Sequence, residues 1–267
     1  MEEINDERVA FTIHAGDIKG GSDPCDDEVY QETKELFDEF ERPLIYTPGD
    51  NEWTDCHRAG GDPLERLGFL RETFYPDDQS LGERPLRLDR QSEEYPENVR
   101  WEFGDVTFAT LHVVGSNDNL PDAANPVGDA AEHAARTEAN LAWLAETFDA
   151  AEKDDNVGVL ITMQANPGFE LPPEERTGFN ELLAALEAET LAFEKPVILV
   201  HGDSHYFRID KPMVASTSGR RVESFTRVET FGNDDVHWVR ASIDQRDPEV
   251  FTFRQEIVDA NLVDHTP

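Results

Sequence analysis

The stretch that decides the fold is Ile13-His14-Ala15-Gly16-Asp17-Ile18-Lys19-Gly20-Gly21, or IHAGDIKGG. The apolar run 9–15 reads as a strand, and it ends in Gly16-Asp17 and a glycine-rich loop. A glycine just before the aspartate lets the backbone turn sharply and aim the carboxylate inward. The device recurs along the chain. A second short apolar run, 44–46, leads to Gly49-Asp50, and the buried strand in PVILVHGDSH leads to Gly202-Asp203. Strand after strand ends in a polar loop: GDIKGG, GDNEWTDCHR, GSNDN, MQANP and HGDSH. Ligand sites in α/β sheets collect at the carboxyl ends of strands, so these five loops are expected to converge. One Gly-Asp taken alone is an ordinary turn. The ordered series carries the reading.

Between these strands lie helical patterns. The spacing predicts helices over 27–40, 63–74 (with Pro63 in the first turn), 130–151 and 174–191. Residues 99–103 and 106–114 read as a hairpin turned by Gly104-Asp105. The continuous apolar run 157–163 reads as a strand buried on both faces. The tail alternates apolar and polar residues in RVESFTRVETFG, VHWVRASID and EVFTFRQEIV, as strands of an antiparallel layer do. The alternation of strands and helices predicts an α/β layered domain spanning residues 1–267.

The formal charge is −35, from 58 acidic against 23 basic residues. Such a charge argues against nucleic acid or an anionic membrane as a partner, because phosphates attract Lys and Arg. It leaves open a small phosphorylated substrate, which meets a local metal rather than the net field. The acid excess is spread along the chain as a solvated surface. If that surface is an adaptation to high salt, screening removes its self-repulsion. The melting temperature is then expected to rise between low and molar salt, and a melting point that does not rise rules the adaptation out. No apolar run is long enough to span a membrane, and MEEINDERVA is not a signal peptide. Oligomeric state and compartment stay open. Cys25 and Cys56 each follow a Gly-Asp loop. They either pair or remain two separate thiols.

Asp17, Asp50, Asp203 and His205 offer hard oxygen and imidazole donors, a mixture that suits divalent Mn, Fe, Mg or Zn. The ordered loops resemble the calcineurin-like metallophosphoesterase superfamily, and the wording is similar to a bacterial subgroup of predicted phosphoesterases. That family carries, in order, an Asp-x-His, a Gly-Asp, a Gly-Asn-His-Asp/Glu, a His and a Gly-His-x-His. Here Gly16-Asp17 matches the second block and GDNE (49–52) the third. TMQANP matches the fourth by position, and GDSH (202–205) the fifth. The first block has no counterpart before Asp17. MEEIND reads as the end of a helix, so one strand of the family's two-sheet αββα sandwich is expected to be missing.

The resemblance implies two divalent ions about 3.5–4 Å apart and a metal-bound hydroxide that attacks phosphorus in a mono- or diester. It implies Asp17 as the carboxylate shared by both ions, with Asp50, Gln164, Asp203 and His205 as further ligands. Asn51 stands where the family has a proton-donating His, and His57 and Arg58 in the same loop are read either as proton donor or phosphate clamp or as exposed loop residues with no role. His201 is a substitute ligand or a partner behind the ligands. Oxygen donors at three positions where imidazole is usual shift the preference toward Mg, Mn or Ca and away from Zn. The missing block, Asn51 and Gln164 also fit a rival reading, a non-catalytic or truncated relative that binds at most one ion. A domain stabilised by calcium or magnesium without turnover is a third. Trp53 and Trp143 read as packing residues, His14 and His133 as structural, and Asn117 and Asn119 as turn residues or, alternatively, substrate contacts. His112 is open.

Overall fold

The computed structural model describes residues 1–123 and 125–263. In chain order its elements are α1 (Glu2–Asp6), β1 (Thr12–Ala15), α2 (Asp27–Asp38), β2 (Leu44–Thr47), α3 (Pro63–Phe74), β3 (Asp89–Arg90), β4 (Val99–Phe103) and β5 (Val106–Thr110). There follow a single turn α4 (Gly115–Asp118), α5 (Ala130–Lys153), β6 (Gly158–Thr162), α6 (Asn180–Phe193), β7 (Val197–His201), β8 (Arg208–Asp210), β9 (Phe225–Glu229), β10 (Trp238–Ile243) and β11 (Phe251–Glu256).

Seven strands form one mixed sheet in the order β3-β4-β5-β6-β7-β9-β8. Its middle strands β5, β6, β7 and β9 run parallel. The largely apolar, β-branched sequences of β5, β6 and β7 are covered on both faces, as parallel strands require. On one face Val159, Ile161, Val197, Leu199 and Phe225 share a core with Trp143, Leu144 and Phe148 of α5 and Leu182 and Leu186 of α6. On the other face Phe108, Leu160, Ile198 and Val228 pack with Ile13 and Ile45 of β1 and β2 and with Val239, Ile243, Phe251 and Phe253 of β10 and β11. Phe11 joins these layers, edge-on to Trp101, Phe103 and Phe108 at 5.1–5.6 Å. Behind β1 and β2, Tyr46 packs with Phe37 of α2 and Leu70 and Phe74 of α3. Each fully buried Leu, Ile or Phe in these cores contributes about 1.5–3 kcal/mol.

The helices start where their caps dictate. Asp62 accepts from Leu64 and Glu65 N–H at the start of α3, and Asp129 accepts from Ala131 and Glu132 N–H at the start of α5. Each cap satisfies amides that have no partner within the helix.

Three expectations change. The second layer is no continuous sheet: among the described residues it is a parallel pair, β1–β2, and an antiparallel pair, β10–β11. Among the described residues β1 pairs with β2 alone. The stretch RVESFTRVETFG does not join the antiparallel tail. As β9 it lies parallel to β7 inside the large sheet. Its polar positions are buried as ion pairs, Arg227 with Asp210 and Glu170, and Glu229 with Arg208. Finally, the helix expected from 174 begins at Asn180. Pro172 and Pro173 fix a tight 3-10 turn, Pro173–Glu175, and Arg176 breaks it before α6 can start.

Candidate metal centre

β1 and β2 run parallel to each other, as do β5, β6 and β7, and their carboxyl ends deliver Asp17, Asp50, Ser116, Gln164 and Asp203. Asp17, Asp50 and Asp203 each bring one carboxylate oxygen within 4.8 Å of the others. Gln164 links them: its Nε2 donates to Asp17 Oδ2 at 2.9 Å and to Asp50 Oδ1 at 3.1 Å. Its Oε1 accepts from Gly115 N–H at 2.7 Å, which sets which way the amide points. Asn166 N–H donates to Asp203 Oδ2 at 3.1 Å. The backbone here is strained as well as crowded. Asp17 (φ 59°) and Asp203 (φ 73°) both lie in the left-handed region, which costs a non-glycine residue about 1–2 kcal/mol. Only bare backbone fits between the carboxylates. A Cβ on Gly49 would stand 2.2 Å from Asp17 Oδ1, and one on Gly115 2.6 Å from Asp50 Oδ2.

Electrostatics give this cluster its meaning. Burial, then the charges of Glu52 and Asp50, push Asp17 up to about 9. Burial, then Asp50, pushes Asp203 up to about 6. Among the described residues none of the three carboxylates forms an ion pair with a Lys or Arg. Lys19 Nζ donates to the carbonyls of Gly20 and Asp23 at 3.1 Å, and Arg58 pairs with Asp55 at 2.6 Å. Asp17 Oδ1 is buried without a hydrogen-bond partner. Three crowded carboxylates, one with an orphaned oxygen, fit a hard divalent cation, which removes their repulsion.

Glu52 sits beneath the cluster, fully buried. Its Oε1 accepts from Tyr46 OH at 2.8 Å and from Ile18 N–H at 3.1 Å, tying the Asp17 loop to β2. The loop after β2 then coils into a 3-10 turn, Thr54–Ala59. Cys56 on that turn is disulfide-bonded to Cys25, across 31 residues and a Cα–Cα distance of 5.8 Å. The bond holds the Asp17 loop against the Asp50 loop. Closing a loop of that length contributes about 3–4 kcal/mol. The double replacement Cys25→Ser/Cys56→Ser is expected to lower unfolding stability in urea by about that amount, and an unchanged midpoint would count against it.

Of the other residues singled out in the sequence, Asn51 and Arg58 border Gly21 together with Asp55. Asn51 Nδ2 donates to the Lys19 carbonyl at 3.0 Å. His57 Nδ1 lies 2.7 Å from the Thr54 carbonyl, to which it must donate, so in the neutral ring Nε2 is the acceptor. His205 stands outside the carboxylate group, exposed, its ring against Gly232. His201 is also outside it. Its Nδ1 donates to the Gly202 carbonyl at 3.0 Å, and burial pushes its pKa down to about 4. His14 packs between Phe37 and Tyr46, and His133 donates to the Asp118 carbonyl. His112 donates to Glu97, which Arg71 also clamps. Trp53 is fully buried beside His112 and beneath Arg136.

Sequence reasoning missed Ser116 and Asp55. Ser116 Oγ stands 2.9 Å from Asp50 Oδ2 and 2.8 Å from Asp55 Oδ1. The available signal was the glycine before Ser116 at the end of a strand, the pattern that marked Asp17.

No protein-family model matches the chain, and no curated protein matches it. Among solved structures, one described as "Structure of PhoD" superposes with a TM-score of 0.54 at 11% identity. The match covers 86% of this chain and 52% of that one, so the chain spans about half the length of its structural neighbour. A likeness at that identity shows the fold alone, a mixed α/β fold. No helix among the described residues is long and apolar enough to cross a membrane.

Proposed function

We propose that the protein is a metal-dependent phosphoesterase acting on a small phosphate mono- or diester. The observation that carries this reading is the group Asp17, Asp50 and Asp203, three carboxylates gathered at the ends of parallel strands within 4.8 Å of one another. The ordered Gly-Asp loops, with their resemblance to calcineurin-like metallophosphoesterases, support it. A bound divalent ion, Mn, Mg or Fe rather than Zn, would polarise a phosphoryl oxygen and lower the pKa of water. In the binuclear form of the proposal Asp17 and His205 would be among the residues that hold the ions.

The chain's own residues do the rest. Asp17, Asp50 and Asp203 hold the ion, and Gln164 spaces the first two. Arg58, paired with Asp55 and with its side chain 40% exposed, would neutralise the phosphoryl charge. Asn51 orients the substrate beside it. His57, held by Nδ1 to Thr54, presents Nε2 to take or return a proton.

One observation favours a second reading, a non-catalytic relative with at most one ion. Gln164 turns its amide nitrogen, not its oxygen, toward Asp17 and Asp50, and so partly compensates the cluster without metal. The test is manganese-dependent hydrolysis of an aryl phosphate monoester and diester, in low and high salt, with equilibrium dialysis to count bound ions. Turnover that requires manganese supports the enzyme. One bound ion without turnover supports the relative.

A further inference from the structure

Four consecutive non-glycine residues, Ser116, Asn117, Asp118 and Asn119, adopt left-handed backbone angles, with φ of 51°, 55°, 54° and 62°. L-residues enter this region singly and seldom in series, and Asn and Asp tolerate it best. A strained turn of this kind persists only where its surroundings over-determine it.

Here the surroundings are α5 and the loop before α6. Asp118 Oδ1 accepts from Val114 N–H at 3.0 Å and from Arg136 Nη1 at 2.5 Å. The Asp118 carbonyl accepts from Arg136 Nη2 at 2.9 Å and from His133 Nδ1 at 2.8 Å. Asn119 Nδ2 donates to Glu132 Oε2 at 2.8 Å, and Asn117 Oδ1 accepts from Gly178 N–H at 2.8 Å. Arg136 is fully buried in this role.

What the turn delivers to the site is one hydroxyl. With Ser116 Oγ at Asp50 Oδ2 and Gln164 Nε2 at Asp50 Oδ1, the Asp50 carboxylate is held by both oxygens. The same hydroxyl touches Asp55, whose other oxygen pairs with Arg58. We infer that Ser116 is a positioning residue of the metal centre: clamped in a left-handed turn by α5, it orients the Asp50 carboxylate and ties it through Asp55 to the Arg58 loop. This rests on reading Asp17, Asp50 and Asp203 as a metal centre.

Ser116→Gly isolates the hydroxyl, because glycine takes left-handed angles without strain and the turn survives. Manganese affinity, measured by titration calorimetry, is expected to fall about tenfold or more, as it does when partners behind metal ligands are lost. The electron paramagnetic resonance spectrum of the bound manganese should change, while the melting temperature of the metal-free protein stays close to that of the wild type. Ser116→Ala, which keeps a Cβ, is expected to lose the same factor in affinity whatever it does to stability. If either folded variant binds manganese as tightly as the wild type with the same spectrum, Ser116 does not position the centre. If wild type and Asp17→Asn bind manganese alike, the metal-centre reading falls, and this inference falls with it.

Discussion

Asp17→Asn is expected to weaken manganese binding, and the metal-dependent hydrolysis with it, by more than about 100-fold, since losing even a partner behind a ligand costs about 10–100-fold. The same replacement is expected to stabilise the metal-free protein. The two effects have one cause. Burial and the charges of Glu52 and Asp50 push the Asp17 carboxyl up to about 9, so folding favours its protonated form. A carboxyl raised in the folded state makes stability fall as pH rises from its ordinary range near 4 toward 9. Metal-free wild type should therefore lose stability across that window, and asparagine, which cannot ionise, should remove much of the loss. At neutral pH the variant's melting temperature is expected to be higher by about 2–4 °C for each kcal/mol of relieved repulsion. Manganese should raise the melting temperature of the wild type and leave the variant's nearly unchanged. Melting curves at several pH values, with and without manganese, decide the matter. A metal-free variant that melts below the wild type would show that the cluster is not under electrostatic strain.

Arg136→Met is expected to cost about 3–5 kcal/mol of stability, the usual penalty for leaving a buried charge without its partner. Arg136 is fully buried and pairs with Asp118 at 2.5 Å and Glu132 at 2.7 Å. Methionine keeps most of the volume, so the loss reports the stranded Asp118 carboxylate rather than a cavity. Adding Asp118→Asn should recover part of it, because an amide costs less to bury than an unpaired charge. Urea denaturation of the two variants and the wild type measures both steps. Equal stability of Arg136→Met and wild type would mean that the turn at 116–119 does not depend on this clamp.

The parts of this protein that were legible in its sequence are those governed by local chemistry. α3 begins at Pro63 and ends at Phe74 as its cap and its proline dictate. The β4–β5 hairpin turns at Gly104-Asp105, and β6 is the short apolar run that both its covered faces require. The loops holding Asp17, Asp50, Gln164 and Asp203 were also legible, because each follows a strand and residues at the carboxyl ends of parallel strands share one edge. The resemblance added the order of the loops and the expected division of roles among them.

Tertiary structure decided whatever depends on a distant partner. The alternating pattern of β9 says nothing of ion pairs to Asp210, Glu170 and Arg208, so a strand buried beside β7 reads as part of the antiparallel tail. Gln164 reads as an oxygen donor until the Gly115 amide claims that oxygen. Cys25 and Cys56 are 31 residues apart, and only the packing of two loops brings them together. Ser116 is one serine among many until a left-handed turn, held by an arginine twenty residues later, sets it between two aspartates. Periodicity, caps and turn residues record the chain's near neighbours, and so they determined the elements and the order of the loops. Orientation of a polar side chain, and the charge state of a carboxylate, depend on atoms brought near only by folding.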